Sequence, residues 1–116
     1  MSEPKADVLR GTLDMLVLKT LALEPMHGWG LAERIEHISR GVFSINQGTL
    51  YPALQRLKRR GLVRSEWRQT ENNRRARYYY LTRGAEKQLT REVSEWERTS
   101  AAVNRILAFT SAEVRS

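Results

Sequence analysis

Residues 44–81 constrain the fold more than any other part of this 116-residue chain. The first part of the segment carries apolar residues at helical spacing and ends at Gly61. These residues are Leu50, Leu54 and Leu57. Two short stretches of alternating pattern follow, residues 62–68 and 76–81, with a polar, arginine-rich turn between them. Spacings of three and four residues predict a helix and alternation predicts strands, so the segment predicts one helix followed by a β-hairpin.

Pro52 lies inside this predicted helix, which spans about residues 46–60. Proline removes one backbone hydrogen bond and crowds the carbonyl group four residues earlier, here that of Gly48. Two arrangements stay open: the helix begins properly near Pro52, or its first turn is loose. In both, Gly48 keeps this end of the helix thin, so that the backbone can approach a partner closely.

Basic residues are concentrated on the same helix and hairpin. Between Gln55 and Arg77 there are nine lysines and arginines against two acids, Glu66 and Glu71, and the whole chain has a formal net charge of +7. Such an excess favours a polyanionic partner, either nucleic acid or an anionic membrane surface. A solvated charged face is the alternative. Because the bases lie on two adjacent elements of one folding unit, we favour contact with DNA phosphates and bases. A helix followed by a basic hairpin predicts a winged helix-turn-helix, a mainly α fold with a small β-hairpin.

Two further helices are predicted to pair two copies of this unit. Residues 9–23 predict a first helix, with Thr12 as a candidate cap, that is apolar on nearly all sides, and its second apolar side is expected to face another subunit. Thr82 is the predicted cap of a long last helix over residues 82–109, which carries a seam resembling that of a coiled coil. The seam consists of Leu89, Val93, Trp96, Ser100, Val103 and Leu107. A helix of this length extends past its own small domain, so the seam predicts a dimer.

The remaining aromatic residues have simpler interpretations. Residues 28–39 predict a second helix. Its core positions are Leu31, Ile35 and Ile38. His27 is interpreted as a capping or turn residue, and Trp29 and Trp67 as core or near-core residues. Trp96 is most simply a packing anchor of the dimer seam, and the alternative is one wall of a pocket for a small aromatic or apolar effector.

Several classes of site have no support in the sequence. There is no cysteine, and two histidines, His27 and His37, are too few for a zinc site. The sequence has no glycine-rich phosphate loop, no HExxH motif and no nucleophile elbow, so we expect no catalytic residues, metal or cofactor. No long apolar run is present either, so we expect a cytoplasmic, nucleoid-associated protein without a membrane partner.

Three segments carry a resemblance to a known family. They are LRGTLDMLVLKTLALEPMHGWGLAERI, INQGTLYPALQRLKRRGLV and RRARYYYLTRGAEKQL, in this order within residues 9–89. They resemble the PadR family of bacterial transcriptional regulators, in its short form with a single C-terminal dimerisation helix. The resemblance implies a homodimeric winged-helix protein whose third helix enters the major groove while the wing reaches the adjacent backbone or minor groove. Many proteins of that family repress transcription and are released from DNA by small molecules, so the resemblance makes both properties expectations for this chain.

Carried onto this sequence, the resemblance implies specific site residues. Those expected near the bases are Gln47, Thr49, Gln55 and Arg56, and those expected at the DNA backbone or in the wing are Tyr51, Lys58, Arg59, Arg74, Arg75 and Arg77. Gly48 and Pro52 would contribute by allowing close approach. For Gln47, Thr49 and Tyr51, capping and packing are the alternative roles. The expected dimer interface consists of Leu9, Leu13, Leu18, Leu89, Val93, Trp96, Ser100, Val103 and Leu107.

The predicted organisation is a flexible N-terminus (1–8), a DNA-binding domain (9–81), a dimerisation helix (82–109) and a tail (110–116). The predicted function is a homodimeric repressor that binds a pseudo-palindromic operator in double-stranded DNA. The alternatives are a winged-helix protein-interaction module and a protein that binds duplex DNA without sequence preference.

Overall fold

The computed structural model describes the backbone of residues 3–115 and the side chains of residues 11–115. The elements in chain order are α1 (Glu3–Leu23), β1 (Met26–His27), α2 (Gly28–Ile38), α3 (Gln47–Arg59), β2 (Val63–Gln69), β3 (Arg75–Leu81), α4 (Arg83–Ala108) and α5 (Ser111–Arg115). The predicted fold is confirmed: helices dominate, a basic hairpin follows α3, and a long helix comes last. None of the helices in the described residues is both long and apolar enough to cross a membrane.

The core lies where α1, α2 and α3 meet the base of the sheet. Its fully buried large side chains are Val17, Leu18, Leu31, Leu50, Leu54, Leu57 and Val63. The predicted stripe of α3 is therefore confirmed in full. Ile38, predicted as a core residue of α2, is 57% exposed instead. It is the last residue of its helix and follows Ile35, the last buried residue of α2.

Helix α1 starts earlier than the sequence predicted. It begins at Glu3 rather than at residue 9, so Thr12 lies inside the helix and is not its cap. The side chain of Leu9 lies outside the described side chains. Downstream of Thr12, the second apolar side of α1 is buried within this chain: Leu18 is fully buried and Met15 is nearly so.

The front of α3 is a regular helix start. The Asn46 side chain caps it by accepting a hydrogen bond from the Thr49 backbone N–H at 2.9 Å. The carbonyl of Asn46 accepts bonds from the N–H groups of Thr49 and Leu50 at 3.1 and 3.0 Å. The helix therefore neither begins near Pro52 nor has a loose first turn, and Pro52 is accommodated one and a half turns inside it.

The sheet has three strands in the order β1-β3-β2, all antiparallel. The two-residue strand β1 was not predicted, because two residues give no alternation to detect. His27 ends β1 and caps α2 by accepting a hydrogen bond from the Gly30 N–H at 2.9 Å through Nδ1, which confirms its predicted structural role.

Helix α4 leaves the body of the protein. Near its start Ala85 is buried and Leu89 packs against the core. Its 26 residues span about 39 Å at the α-helical rise. The molecule measures 66 × 28 × 25 Å, and large apolar side chains on the distal half of α4 are exposed, among them Val103 and Leu107.

Candidate nucleic-acid interface

The exposed face of α3 combines small, polar and basic residues. At 100° per residue, Gly48, Pro52, Gln55 and Arg59 lie opposite the buried leucines, and all four are exposed. Gln47 and Thr49 are also exposed, at the N-terminal end. The predicted contact residues of α3 are thus exposed except for Arg56 and Lys58, which are half-buried.

Arg56 lies at the edge of this surface, and its guanidinium is held against α1. Its Nη2 donates a hydrogen bond to Asp14 Oδ1 of α1 at 2.8 Å, and the two side chains are only 24% and 11% exposed. The Nε of Arg56 is buried without a hydrogen-bond partner among the described residues. The prediction that Arg56 lies near the bases is therefore wrong in this structure, because the buried carboxylate of Asp14 holds its guanidinium against α1. The two residues are 42 positions apart, so no local pattern in the sequence predicts this pair.

Tyr51 packs over the start of α2 while it stays accessible. Its side chain is exposed, yet a Cβ atom built on Gly28 would lie 2.7 Å from its hydroxyl oxygen and 3.0 Å from its Cζ. Gly28 is therefore the residue that leaves room for the Tyr51 ring. The buried neighbour Tyr79 has a pKa raised above 10.0, mainly by burial and secondarily by Tyr51, while Arg77 lowers it.

The hairpin has two chemically different faces. The register pairs Val63 with Leu81, Ser65 with Tyr79, Trp67 with Arg77 and Gln69 with Arg75, and these residues share one face. Lys58 of α3 donates from Nζ to Ser65 Oγ at 3.3 Å, which identifies this face as the one toward α3. We call it the helix-side face of the wing.

Beyond the core, the helix-side face carries an indole and two guanidinium groups. Trp67 is 56% exposed. The guanidinium carbons of Arg77 and Arg75 lie 5.1 and 5.3 Å from the centroid of its ring, within cation–π distance. The prediction that Trp67 is a core or near-core residue is wrong, because β2 runs past the edge of the core before it reaches this position. Trp29, also predicted near the core, is 61% exposed and stacks on His27 with ring centroids 5.7 Å apart.

The far face of the wing carries Glu66, the acid of its strands. Arg68 Nε lies 2.6 Å from Glu66 Oε2, and the Arg68 guanidinium also lies 5.2 Å from the centroid of the Tyr78 ring. Arg64 is exposed on the same face. Glu66 thus offsets charge on the far face, while Arg75, Arg77 and the nearby Lys58 concentrate charge on the face toward α3.

The turn between the strands presents one more arginine. Asn73 has a positive φ of 61°, a conformation that asparagine tolerates better than most residues. The Thr70 N–H donates to the Arg74 carbonyl, which closes the turn and leaves the Arg74 side chain exposed at its end. The arginines predicted for the wing therefore all belong to its outer half.

The residues predicted for a dimer interface divide into two groups. Leu13 and Leu18 are buried in the core of this chain, so they are not available to a partner, which corrects the prediction for these two positions. On α4, Leu89, Val93 and Ser100 are half-buried and Trp96, Val103 and Leu107 are exposed, while Leu9 lies outside the described side chains. A cavity of about 500 Å³ lies between α1 and α4, and its walls include Met15, Arg60, Glu92 and Trp96.

The sequence and the fold of this chain are similar to those of known proteins. The sequence profile of the transcriptional regulator PadR-like family matches residues 17–91. A transcriptional regulator from Clostridium thermocellum is 29% identical, covers 85% of this chain and 96% of its own, and superimposes with a TM-score of 0.77. A PadR family transcriptional regulator from Eggerthella lenta is 30% identical, with 94% and 93% coverage and a TM-score of 0.74. An uncharacterized protein from Lysinibacillus sphaericus is 23% identical over 100 residues, which are 86% of this chain and 92% of that protein. The chain therefore belongs to the PadR-like family of transcriptional regulators, which are transcription factors and not enzymes.

Proposed function

We propose that the protein is a homodimeric repressor that binds a pseudo-palindromic operator through the exposed face of α3 and the helix-side face of the wing. The observation that carries this proposal is the separation of charge on the hairpin. Arg75 and Arg77 stand on the same side as Lys58 of α3, whereas Glu66 lies on the other side. A protein that used its charge only for solubility would have no need for this one-sided arrangement.

In this arrangement the two elements have different roles. Gln47, Thr49 and Gln55 on α3 would enter the major groove, where amide and hydroxyl groups can read base edges. Gly48, which has no side chain, and Pro52, whose ring is compact, would let the helix backbone approach the groove. Arg59, Arg74, Arg75 and Arg77, with Lys58 and Tyr51, would hold the phosphates on either side of the groove.

Dimerisation would come from the distal half of α4. Trp96 is 46% exposed and Leu107 is 76% exposed, and they lie on a helix that projects beyond the domain. A second copy of the same helix would cover these side chains and set the distance between the two α3 helices. Replacement of Leu107 with aspartate should then convert the dimer to a monomer in light scattering, whereas Ser94→Asp, on an exposed position outside the seam, should not. A dimer that survives Leu107→Asp at low concentration would contradict this interface.

The cavity beside Trp96 would be the effector site of such a repressor. It combines an indole and a thioether wall with polar residues at its edge, which suits a small aromatic or apolar molecule. The dye 8-anilinonaphthalene-1-sulfonate is a suitable probe, and its fluorescence enhancement should be lost in Trp96→Ala. Equal enhancement in the variant would place the dye elsewhere. We further propose that the protein acts in the cytoplasm, on the nucleoid.

Footprinting of the promoter upstream of the protein's own gene tests the proposal. Two protected half-sites about one DNA turn apart, ~34 Å, are expected from a dimer of winged helices. Even protection along the fragment, abolished equally by unrelated DNA, would indicate binding without sequence preference. The absence of any gel shift on promoter DNA at low salt, together with capture of a protein partner, would instead indicate a protein-interaction module.

A further inference from the structure

Trp67 is an exposed tryptophan whose position the DNA-binding function does not by itself require. It stands at the outer half of β2, directly opposite Arg77 and diagonal to Arg75. Both guanidinium groups lie within about the same distance of its ring, 5.1 and 5.3 Å from the centroid. One indole therefore contacts two arginines that belong to the neighbouring strand.

The stacking restricts two side chains that would otherwise be mobile. An exposed arginine has several rotatable bonds and loses much conformational entropy when it is fixed on a phosphate. The face of an indole attracts a guanidinium through its quadrupole and matches its planar shape. Two arginines that contact one ring are thus each restricted in position beside it, and a cation–π contact leaves their N–H groups able to donate to a phosphate.

The cluster of Trp67, Arg75 and Arg77 lies on the face of the wing that is toward α3. Ser65 on that face contacts Lys58 of α3. From the core outward, this face passes from buried Val63 and Tyr79 to Trp67 and its two arginines. The same kind of stacking occurs on the far face between Arg68 and Tyr78, but there Glu66 pairs with the arginine.

We propose that Trp67 is a positioning residue of the wing, which preorganises Arg75 and Arg77 as a paired phosphate clamp beside α3. This inference rests on the proposed DNA-binding function. Trp67 does not need to touch DNA for this role. Its contribution reaches the DNA through the two arginines, so it should disappear when the arginines are absent.

A double-mutant cycle tests this dependence. Binding to a duplex of roughly 30 base pairs, about three helical turns, is measured at low salt for wild type, Trp67→Leu, the double variant Arg75→Ala/Arg77→Ala, and the triple variant. Trp67→Leu should weaken binding about threefold to tenfold in the wild-type background. It should change binding by less than about 1.5-fold when both arginines are already alanine. Trp67→Phe, which keeps an aromatic face, should restore most of the loss.

Tyr78→Leu is the matched control, because it removes the aromatic partner of Arg68 on the far face of the same hairpin. It should leave the affinity for the duplex unchanged. An unchanged affinity of Trp67→Leu would overturn the proposal. An equal loss in both backgrounds would also overturn it, since the indole would then contact DNA itself or support the fold.

A measurement without DNA separates this inference from the proposed function. In NMR spectra of the free protein, the Nε–H resonances of Arg75 and Arg77 should show ring-current shifts that vanish in Trp67→Leu and persist in Trp67→Phe. Unshifted resonances in the wild type would contradict the proposal that Trp67 holds Arg75 and Arg77, even if the protein binds DNA. Shifted resonances in a protein that binds no duplex would instead contradict the DNA-binding function and leave the stacking intact.

Discussion

The Arg56 guanidinium lies 2.8 Å from the Asp14 carboxylate, and this pair joins the middle of α3 to α1. Both side chains are mostly buried, so neither is free to serve a ligand on the surface. Arg56 is one of the basic residues of α3 by sequence, but by structure it belongs to the packing between helices. Arg59, three residues later on the same helix, is exposed. Replacement of Arg56 and replacement of Arg59 should therefore have different effects.

Replacement of Arg56 with alanine should mainly lower stability. It would leave Asp14 as a largely buried carboxylate without its partner, at a cost of about 2 kcal/mol in the free energy of unfolding, below the range for fully buried pairs because Arg56 retains some exposure. Arg59→Ala should change stability by less than about 0.5 kcal/mol and should weaken DNA binding instead. Urea unfolding and duplex binding, measured on both variants, check this contrast. Equal stability of the two variants would contradict the structural role of Arg56.

Gly28→Ala should destabilise the protein slightly. The new Cβ would lie 2.7 Å from the Tyr51 hydroxyl oxygen, so the exposed Tyr51 side chain must shift, at a cost of about 1 kcal/mol in unfolding free energy. Combining it with Tyr51→Ala should remove most of that cost, because the clashing atoms are gone. Gly84→Ala is the control, since nothing lies within 4 Å of its Cβ position inside α4, and it should stabilise the protein slightly. A cost for Gly28→Ala that persists without the Tyr51 side chain would show that the clash is not its source.

Much of the fold was predictable because it depends on local periodicity. The stripe of Leu50, Leu54 and Leu57 and the alternation of the hairpin both survive in the structure, since both reflect burial against one core. Periodicity does not show where along a strand the core ends. Alternation places Trp67 on the same face as Val63, but the strand passes the core edge between them, so one is buried and the other exposed.

Pairings between distant residues were equally out of reach. Asp14 and Arg56 are separated by 42 positions, and nothing local to α3 distinguishes Arg56 from its neighbours. Strand β1 pairs with β3, which brings Met26 beside Tyr79, a residue far away in the sequence that no local pattern links to it. The dimer prediction failed at Leu13 and Leu18 for a related reason: the apolar side assigned to a partner is covered by α2, α3 and the sheet of the same chain.

The stability of the protein should decrease at alkaline pH through Tyr79. Burial, followed by the neighbouring Tyr51, raises the pKa of its hydroxyl above 10.0, so folding favours the neutral phenol. Its contribution to the free energy of unfolding is therefore fully present below pH 10.0 and is lost as pH rises through the folded-state pKa. Urea unfolding of Tyr79→Phe should show a smaller loss of stability between roughly pH 9 and pH 11 than the wild type. Tyr80→Phe, on the far face of the hairpin, should behave like the wild type, and an identical loss in all three proteins would assign the effect to other groups.

The most direct test of the account compares the two faces of the wing. Arg75→Ala/Arg77→Ala and Arg64→Ala/Arg68→Ala each remove two positive charges from the same hairpin, but only the first pair lies on the helix-side face. The measurement is the salt dependence of duplex binding, taken as the slope of log K against log salt concentration. Replacement of the helix-side pair should flatten the slope by about two units per protomer, whereas replacement of the far-face pair should leave it nearly unchanged. Equal slopes for the two double variants would contradict the claim that DNA lies against α3 and the helix-side face of the wing.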